Sequence, residues 1–485
     1  MATRSKPQTR YYLNYGAVTP INGADNLTPV FIGPRYIVHN DKAGNNIVSS
    51  GAVVYSGAAL SVEYPQRSIV ESAYVSGATL VSSSVKVYAV NPIVQFASDS
   101  DTTPLPGEYL ISGGVTVGAD SVTIASGATC VYSSGGNVET PVISGAAIVV
   151  NYNELRTDDV NHLYAASAAS SWVGEMTADN PLGMAYKAGI QTGFDNFYLM
   201  ATKGEATSDF KAALGVAGKY EAAYALVPLI QNSDIITDAL DIVAKYSKPE
   251  IAQMKRLWVF SQLQQGAGES ASEFAQRIAA EATSYRNHRV NYVYAEAGNT
   301  VAGEEFQDAQ YIVLVLAAMR GAMAPHAPLT DVVIPGVSIG DSIGFTEEDY
   351  DVMNNGGVWV CYKNSEGETV SRHAITTGGV GTIAEEDSAV SNGDNILRFV
   401  RSQISFLKGN CNVTAALIDK IYTNVMHALD AILRRTYDPL IGPQIISIES
   451  VNIEQDPNNT AGVIGEINLD LPDVYLDGKF TFNLF

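Results

Sequence analysis

Between residues 195 and 325 the apolar positions switch between two periods. Phe197–Ala201, Tyr224–Leu229, Leu257–Ser261 and Val290–Ala295 are short, nearly continuous apolar runs, and stretches with helical spacing fall at 207–221, 234–246, 270–286 and 307–323. Buried runs of this length alternating with amphipathic helices predict a mainly parallel sheet covered by helices. Ser233 ahead of Asp234 is the expected N-cap of one helix, and Pro249 its stop. Beyond 345 the order changes, with strands expected around Val358–Tyr362 and Thr369–Ile375, then helices at 395–408 and 413–435, then a strand-rich tail. In the longer of these helices Leu417, Ile421, Val425, Leu429 and Leu433 fall on one stripe. Asn412 is placed to cap its start, and Arg434 and Arg435 suit the negative end of its dipole.

Residues 45–150 have another texture. Ser-Gly-Ala recurs at 50–52, 56–58, 76–78, 126–128 and 144–146 between short Val/Ile/Tyr stretches such as Val85–Val90 and Val115–Ile124. Alternation with turn residues at short intervals predicts an all-β sandwich or barrel, and the uneven spacing of the triplet argues against a solenoid. This segment interrupts a differently built chain and reads as an inserted β domain. Residues 1–20 read as an arm: Arg4, Lys6 and Arg10 are basic, Tyr11, Tyr12, Leu13 and Tyr15 follow, and Pro7, Gly16 and Pro20 oppose a helix. The arm is either a solvated tail or a strand in need of a partner.

Composition narrows the function classes. The 485 residues carry 29 Lys+Arg against 51 Asp+Glu, a formal charge of -22, yet only 16% are charged. A negative field of this kind repels phosphate, which disfavours nucleic acid and anionic lipid as main partners. The apolar run Tyr311–Met319 ends at Arg320 and is about half the roughly 20 residues a bilayer needs. The basic start has no apolar run behind it and is not expected to be a secretion signal. Cys130, Cys361 and Cys411 are far apart, without metal-ligand spacing; three reduced thiols, or one thiol bridging subunits, are the two readings.

Motifs for chemistry are scarce. TKGEATSDF after the first strand of the α/β portion has neither GxGxxG nor GxxxxGK[ST], and GGVGT at 378–382 lacks the lysine of a phosphate loop. The histidines at 39, 162, 288, 326, 373 and 427 form no HxH or HxxxH pair, and no GxSxG elbow occurs. Glu304-Glu305, Glu347-Glu348 and Glu385-Glu386 lack calcium-loop spacing and read as solvated surface. No catalytic residue, cofactor site or metal site is expected.

Charge placement is more informative. Glu449, Glu454, Asp456, Glu466, Asp470, Asp473 and Asp477 face a single base, Lys479, in residues 445–485, and the chain ends in the β-prone run Phe480-Thr-Phe-Asn-Leu-Phe485. Two extended, oppositely charged ends find backbone partners most readily at a sheet edge of another copy, through Tyr11, Tyr12 and Leu13 at one end and Phe480, Phe482 and Phe485 at the other. Folding back on the same chain is the alternative. Arg398, Arg401, Lys408, Lys420, Arg434 and Arg435 against Asp419 and Asp430 make the helical pair at 396–435 a positive face, either a docking surface for an acidic partner or a solvated one.

Five segments carry a resemblance. NLTPVFIGPRYIVHN (26–40), ADNPLGMAYKAGIQTGFDNFYLMA (178–201), YALVPLIQNSDI (224–235), LAAMRGAMAPHAPLTDVVIPGV (316–337) and NNGGVWVCYKNSEGETVSRHAITT (354–377) occur in the order and at the spacing of the tail sheath proteins of contractile phages and related injection systems. The chain resembles that family over most of residues 20–485, outside the inserted β segment. The resemblance implies an α/β and α+β multidomain fold: a mixed-sheet core, an inserted all-β domain and extended terminal arms. It divides the chain into an arm at 1–20, a middle domain at 21–44 and 151–344, an outward insertion at 45–150, a tube-facing domain at 345–472 and an arm at 473–485. It implies a non-enzymatic subunit that polymerises around a tail tube and contracts by repacking to drive the tube through the host envelope, with interface free energy as the source. Implied partners are further copies, the tail tube protein, and baseplate and tail terminator proteins, in a virion tail assembled in the host cytoplasm. Arg398, Arg401, Lys408, Arg434 and Arg435 are then tube-facing, and Arg372 and His373 position backbone or pair with acids. An α/β enzyme with an appended β surface- or carbohydrate-binding module is the competing reading, and a non-contractile shell or adhesin is a third.

Overall fold

Helix caps and edges show how local sequence sets the elements of this protein. The computed structural model describes residues 27–43, the strands between 52 and 155 with 156–157, and residues 159–177, 180–191, 193, 196–248, 253–297, 309–378, 386–408, 410–435, 442–457, 462–471 and 477–483. A nine-stranded sheet runs in the order Leu163–Ala165, Tyr198–Ala201, Pro29–Gly33, Ala225–Pro228, Arg256–Phe260, Val290–Ala295, Val358–Lys363, Thr369–Ser371, Val332–Val333. The strands from Tyr198–Ala201 through Val358–Lys363 in that order are parallel, and both ends of the sheet are antiparallel. The sheet is therefore mixed, with a parallel centre.

Pro29–Gly33, Ala225–Pro228, Arg256–Phe260 and Val290–Ala295 are buried at every position, as expected for strands covered on both faces. The pleat sorts their side chains. Phe31, Val227, Trp258, Val293 and Trp359 point into one core with helices Pro181–Gln191 and Ala309–Ala322. Val30, Ile32, Leu226, Leu257, Val259, Tyr292, Val358 and Val360 point into the other, with helices Thr207–Ala217, Ser233–Tyr246, Ala271–Tyr285 and Glu347–Asn355. Each strand of the expected alternation is present within one or two residues of its expected bounds.

The caps differ from expectation. Asn232, not Ser233, caps Ser233–Tyr246, its Oδ1 accepting from the Ile235 N–H at 2.9 Å. Thr414, not Asn412, caps Ala415–Leu433 by accepting from the Leu417 N–H at 3.2 Å. The buried stripe of that helix includes Ile432, whereas Leu433 is only half-buried. Pro249 lies outside the described residues. The helix expected from 395 begins at Asp387 and runs to Ile404.

Tyr36–Ala43 and Ala147–Leu155 lie antiparallel, from Tyr36↔Leu155 to Ala43↔Ile148, and belong to an eleven-stranded sheet built from the strands between Tyr36 and Leu155. At the other end of the chain, helices Asp387–Ile404 and Ala415–Leu433 cover a three-stranded antiparallel sheet of Ser447–Gln455, Val463–Asp470 and Asp477–Asn483. Ile396, Val400, Ile421, Val425, Leu429, Val463, Ile467 and Leu469 form its core.

Candidate functional site

The N-terminal half of helix Asp387–Ile404 reads DSAVSNGDN, yet Asp387, Ser391, Asn392, Asp394 and Asn395 are all buried. A polar helix face can be buried only where each group meets a partner. The partners come from the sheet. Arg256, at the start of Arg256–Phe260, sets Nη1 2.8 Å from Asp387 Oδ1, and Arg320, in helix Ala309–Ala322, sets Nε 2.7 Å from Asp387 Oδ2. Asn291 Nδ2 donates to Asp387 Oδ1 at 2.9 Å, and Arg256 Nη1 donates to Ser391 Oγ at 2.9 Å. One turn on, Asp394 Oδ2 accepts from Tyr224 OH at 2.7 Å and from Arg289 Nη1 at 2.5 Å. Gln444 joins the far side, with Nε2 donating to Asn395 Oδ1 and its carbonyl accepting from Asn392 Nδ2, both at 2.9 Å.

The electrostatics follow from this geometry. Burial pushes the Asp387 carboxyl up, but Arg320 and Arg256, with the Asn291 hydrogen bond, outweigh it and hold the group below the usual carboxylate range. Burial, then Asp394, raises the Tyr224 phenol, so it remains a donor. The arrangement ties the C-terminal helical unit to three parallel strands and a helix of the sheet. It is a structural joint, in which the named carboxylates are committed to arginines.

Two further joints flank it. Arg372, at the end of Thr369–Ser371, reaches Glu347 at 2.6 Å and Asp351 at 2.9 Å and lies 5.1 Å over the Tyr350 ring, which pins helix Glu347–Asn355 to the hairpin. His373 Nε2 lies 2.6 Å from Glu386 Oε1. Both side chains thus pair with acids, which is one of the two alternatives expected of the Arg-His pair. His326 Nε2 lies 3.0 Å from the Gly442 carbonyl, joining the segment after helix Ala309–Ala322 to the C-terminal unit. Burial, with Arg320 nearby, lowers His326 to about 4 against the Gly442 hydrogen bond, from 6.5. Its proton therefore binds better to the unfolded chain, so the stability it contributes is complete above 6.5 and is lost as pH falls toward 4. Between pH 7 and pH 5 the wild type should lose about 2 kcal/mol more stability than His326→Gln. Urea unfolding of both proteins at the two pH values measures it; equal losses would remove His326 from the pH response.

The sequence-predicted site residues fall in three groups. Arg4, Lys6, Arg10, Tyr11, Tyr12, Leu13 and Phe485 lie outside the described residues. Phe480 and Phe482 are on Asp477–Asn483, whose backbone pairs within the same chain, Phe480 with Ile467 and Phe482 with Gly465. The fold-back alternative thus describes this strand in the isolated chain. Of the positive helical face, Arg401 is half-buried, Lys408 and Arg434 are exposed, and Arg435 lies 4.8 Å over the Phe399 ring. Arg398 departs from the expected outward position: it is 4% exposed, donates to the Glu221 carbonyl at 2.8 Å and stacks 5.4 Å over Tyr224. Helical phase is the reason, since Arg398 shares the inward face with Asp394 and Asp387. Cys361 is buried, with its thiol pushed up by burial, and Cys411 is exposed. Among the described residues no cluster of His, Cys, Asp or Glu could hold a metal ion, and no helix is long and apolar enough to cross a membrane.

The buried joint was not foreseen from sequence. Its signal is a base at the edge of an otherwise apolar run: Lys255-Arg256 before LWVF, and Arg320 closing Tyr311–Met319.

No family model and no curated protein matches the chain. Similar solved structures do exist. One is a chain of the anti-feeding prophage baseplate, with TM-score 0.48 and 13% identity, covering 67% of this chain and 89% of that one. Another is a chain of the helical sheath of the same prophage in its contracted state, with TM-score 0.47 and 14% identity, covering 66% and 87%. A third is the sheath tail protein of Desulfitobacterium hafniense, with TM-score 0.46 and 10% identity, covering 98% and 99%. In structure the chain is thus similar to contractile sheath and sheath tail proteins.

Proposed function

We propose that this chain is a structural subunit of a contractile tail sheath, which polymerises around a tail tube and contracts by rearranging its subunits. The observation that carries the reading is an open sheet edge. Among the described residues Ser447–Gln455 pairs only with Val463–Asp470, and its other edge has no strand beside it. Glu449 and Glu454 on that strand are exposed. An unpaired, acidic edge is a template for strand addition, and its charge suits a basic strand. The arm with Arg4, Lys6 and Arg10, from another copy, is the partner in this reading. Asp477–Asn483 either keeps its own-chain pairing or exchanges it for the equivalent strand of a neighbour, so that copies join into a mesh.

The five family-like segments support the same reading by their placement. They supply Pro29–Gly33, Tyr198–Ala201, Ala225–Pro228, Val332–Val333, Val358–Lys363 and Thr369–Ser371, most of the nine-stranded sheet. In this reading the insertion projects outward. Arg401, Lys408 and Arg434 face an acidic tube, while Arg398 serves the joint. Baseplate and terminator proteins close the two ends of the polymer. Contraction draws on the free-energy difference between two lattice packings, and rigid joints within each subunit let interfaces between subunits carry the change.

Deleting residues 1–15 should leave a folded, soluble monomer that forms no hollow tubes. Negative-stain electron microscopy and sedimentation measure this. Tubes of normal length from the deletion protein would rule out the arm as the linking strand.

A further inference from the structure

The insert, whose larger sheet has eleven strands, leaves the nine-stranded sheet through two neighbouring strands, Tyr36–Ala43 and Ala147–Leu155. A connection of that kind, with no other contact, swings; relative motion is the default for units joined by a small interface. The residues at its root argue otherwise. Arg35 and Tyr36, the last residue before the outgoing strand and its first, are 5% and 4% exposed. The Tyr36 N–H donates to Asn180 Oδ1 at 3.0 Å, and Asn180 Nδ2 donates to the carbonyls of Val173 at 2.8 Å and Glu175 at 2.9 Å. Asn180 is wholly buried, so one side-chain amide joins the root of the insert to the Val173 and Glu175 carbonyls of the preceding segment.

The neighbouring contacts close the cage. The Tyr36 hydroxyl donates to Glu205. Arg35 Nη1 donates to the Trp172 carbonyl at 2.8 Å, and its guanidinium lies 4.5 Å over the Trp172 ring, which stacks at 4.2 Å on Tyr164. The returning strand is fastened too, by the Arg156 N–H on the Arg35 carbonyl at 2.9 Å. Glycine makes the approach possible: a Cβ on Gly183 would sit 1.8 Å from the Glu175 carbonyl oxygen and 2.6 Å from Asn180 Nδ2. Gly174 has φ +83°, and a Cβ there would meet the Tyr36 carbonyl oxygen at 3.2 Å.

We propose that this root is a rigid mount, with Asn180 as its positioning residue, which fixes the direction of the insert relative to the nine-stranded sheet. Hydrogen bonds from Arg35 and Tyr36 to two core segments, 172–180 and Glu205, remove the freedom that two bare strands would leave. The Asp-Asn-Pro-Leu-Gly run at 179–183 acquires a physical role as a result: the amide of Asn180 binds, Pro181 starts the helix and Gly183 lets the loop lie against it. Any displacement of the core is then passed to the insert undiminished. This holds for a monomer as for a polymer, and so stands apart from the sheath reading.

Double electron–electron resonance on the full chain tests it. Nitroxides go on Lys86→Cys in the insert and Lys219→Cys in the core, both exposed positions, in a Cys130→Ser, Cys411→Ser background diluted with unlabelled protein. The expected result is one narrow distance peak, at least twofold wider in Asn180→Ala at an unchanged far-ultraviolet spectrum. Asn180→Asp keeps the acceptor for Tyr36 but turns a carboxylate oxygen toward the Val173 and Glu175 carbonyls in place of two donated bonds, so widening is expected there as well; it is the second variant if the alanine one does not fold. A broad distribution in the wild type would overturn the mount, and a width unchanged in Asn180→Asp would overturn the role of Asn180.

Discussion

Asp387→Asn is expected to cost about 3–5 kcal/mol, because it leaves two buried guanidinium groups without their counter-charge. Arg256 and Arg320 are both essentially inaccessible to solvent, and both meet the same carboxylate. Asparagine fills the same volume, so the loss reads out charge and not packing. On the scale of ordinary domain stability, roughly 5–15 kcal/mol, this is a large fraction. Urea unfolding followed by tryptophan fluorescence measures it. A second variant separates the joint from its chemistry: Arg256→Met, Asp387→Leu and Arg320→Met together should recover much of the loss, since an apolar substitute avoids the desolvation cost of burying charge. A single Asp387→Asn change within about 0.5 kcal/mol of wild type, the range of ordinary surface substitutions, would show that the joint carries little stability.

Trp359→Ala should be comparably severe, at about 3–5 kcal/mol. Trp359 is fully buried on Val358–Lys363, its ring 5.2 Å from that of Trp258, and its indole N–H donates to Ser371 Oγ at 2.7 Å. Alanine removes the ring from between sheet and helix and leaves the Ser371 hydroxyl without its donor. Trp359→Phe retains much of the packing but not the hydrogen bond, so it should fall between wild type and alanine. Thermal unfolding of the three proteins orders them. An alanine variant melting with the phenylalanine one would mean that the core closes over the gap.

The order of strands and helices was legible because burial on both faces writes continuous apolar runs, and Phe197–Ala201 or Val290–Ala295 could hardly be read otherwise. Caps were misplaced by one or two residues, because Asn232 and Ser233, like Asn412 and Thr414, are close in sequence and each able to cap, and only the backbone turn chooses between them. The start of helix Asp387–Ile404 was missed for a different reason. DSAVSNGDN has weak helix propensity and no apolar stripe; it is helical because Arg256, Asn291, Tyr224 and Arg289 receive it. Those partners are distant in sequence, so nothing local announces them. The same blindness put Arg398 on the outside: counting charges along a helix gives its net sign, while the direction of each side chain depends on the face that packs.

The place of Pro29–Gly33 has a consequence for how the molecule is made. This strand lies between Tyr198–Ala201 and Ala225–Pro228, with the whole insert intervening in the chain. A nascent chain therefore holds Pro29–Gly33, the first strand among the described residues, without its sheet neighbours until synthesis has passed Tyr198–Ala201. Pairings that span such a separation form slowly, because the loop must be closed before the contacts repay it. By that point every strand of the insert has already emerged. The insert is thus positioned to finish folding first, as a preformed bracket that brings Pro29–Gly33 back beside the residues that follow Leu155. Synthesis itself then sets the order of events: the insert first, then Pro29–Gly33 between Tyr198–Ala201 and Ala225–Pro228, and the strands from Arg256–Phe260 onward added beside them.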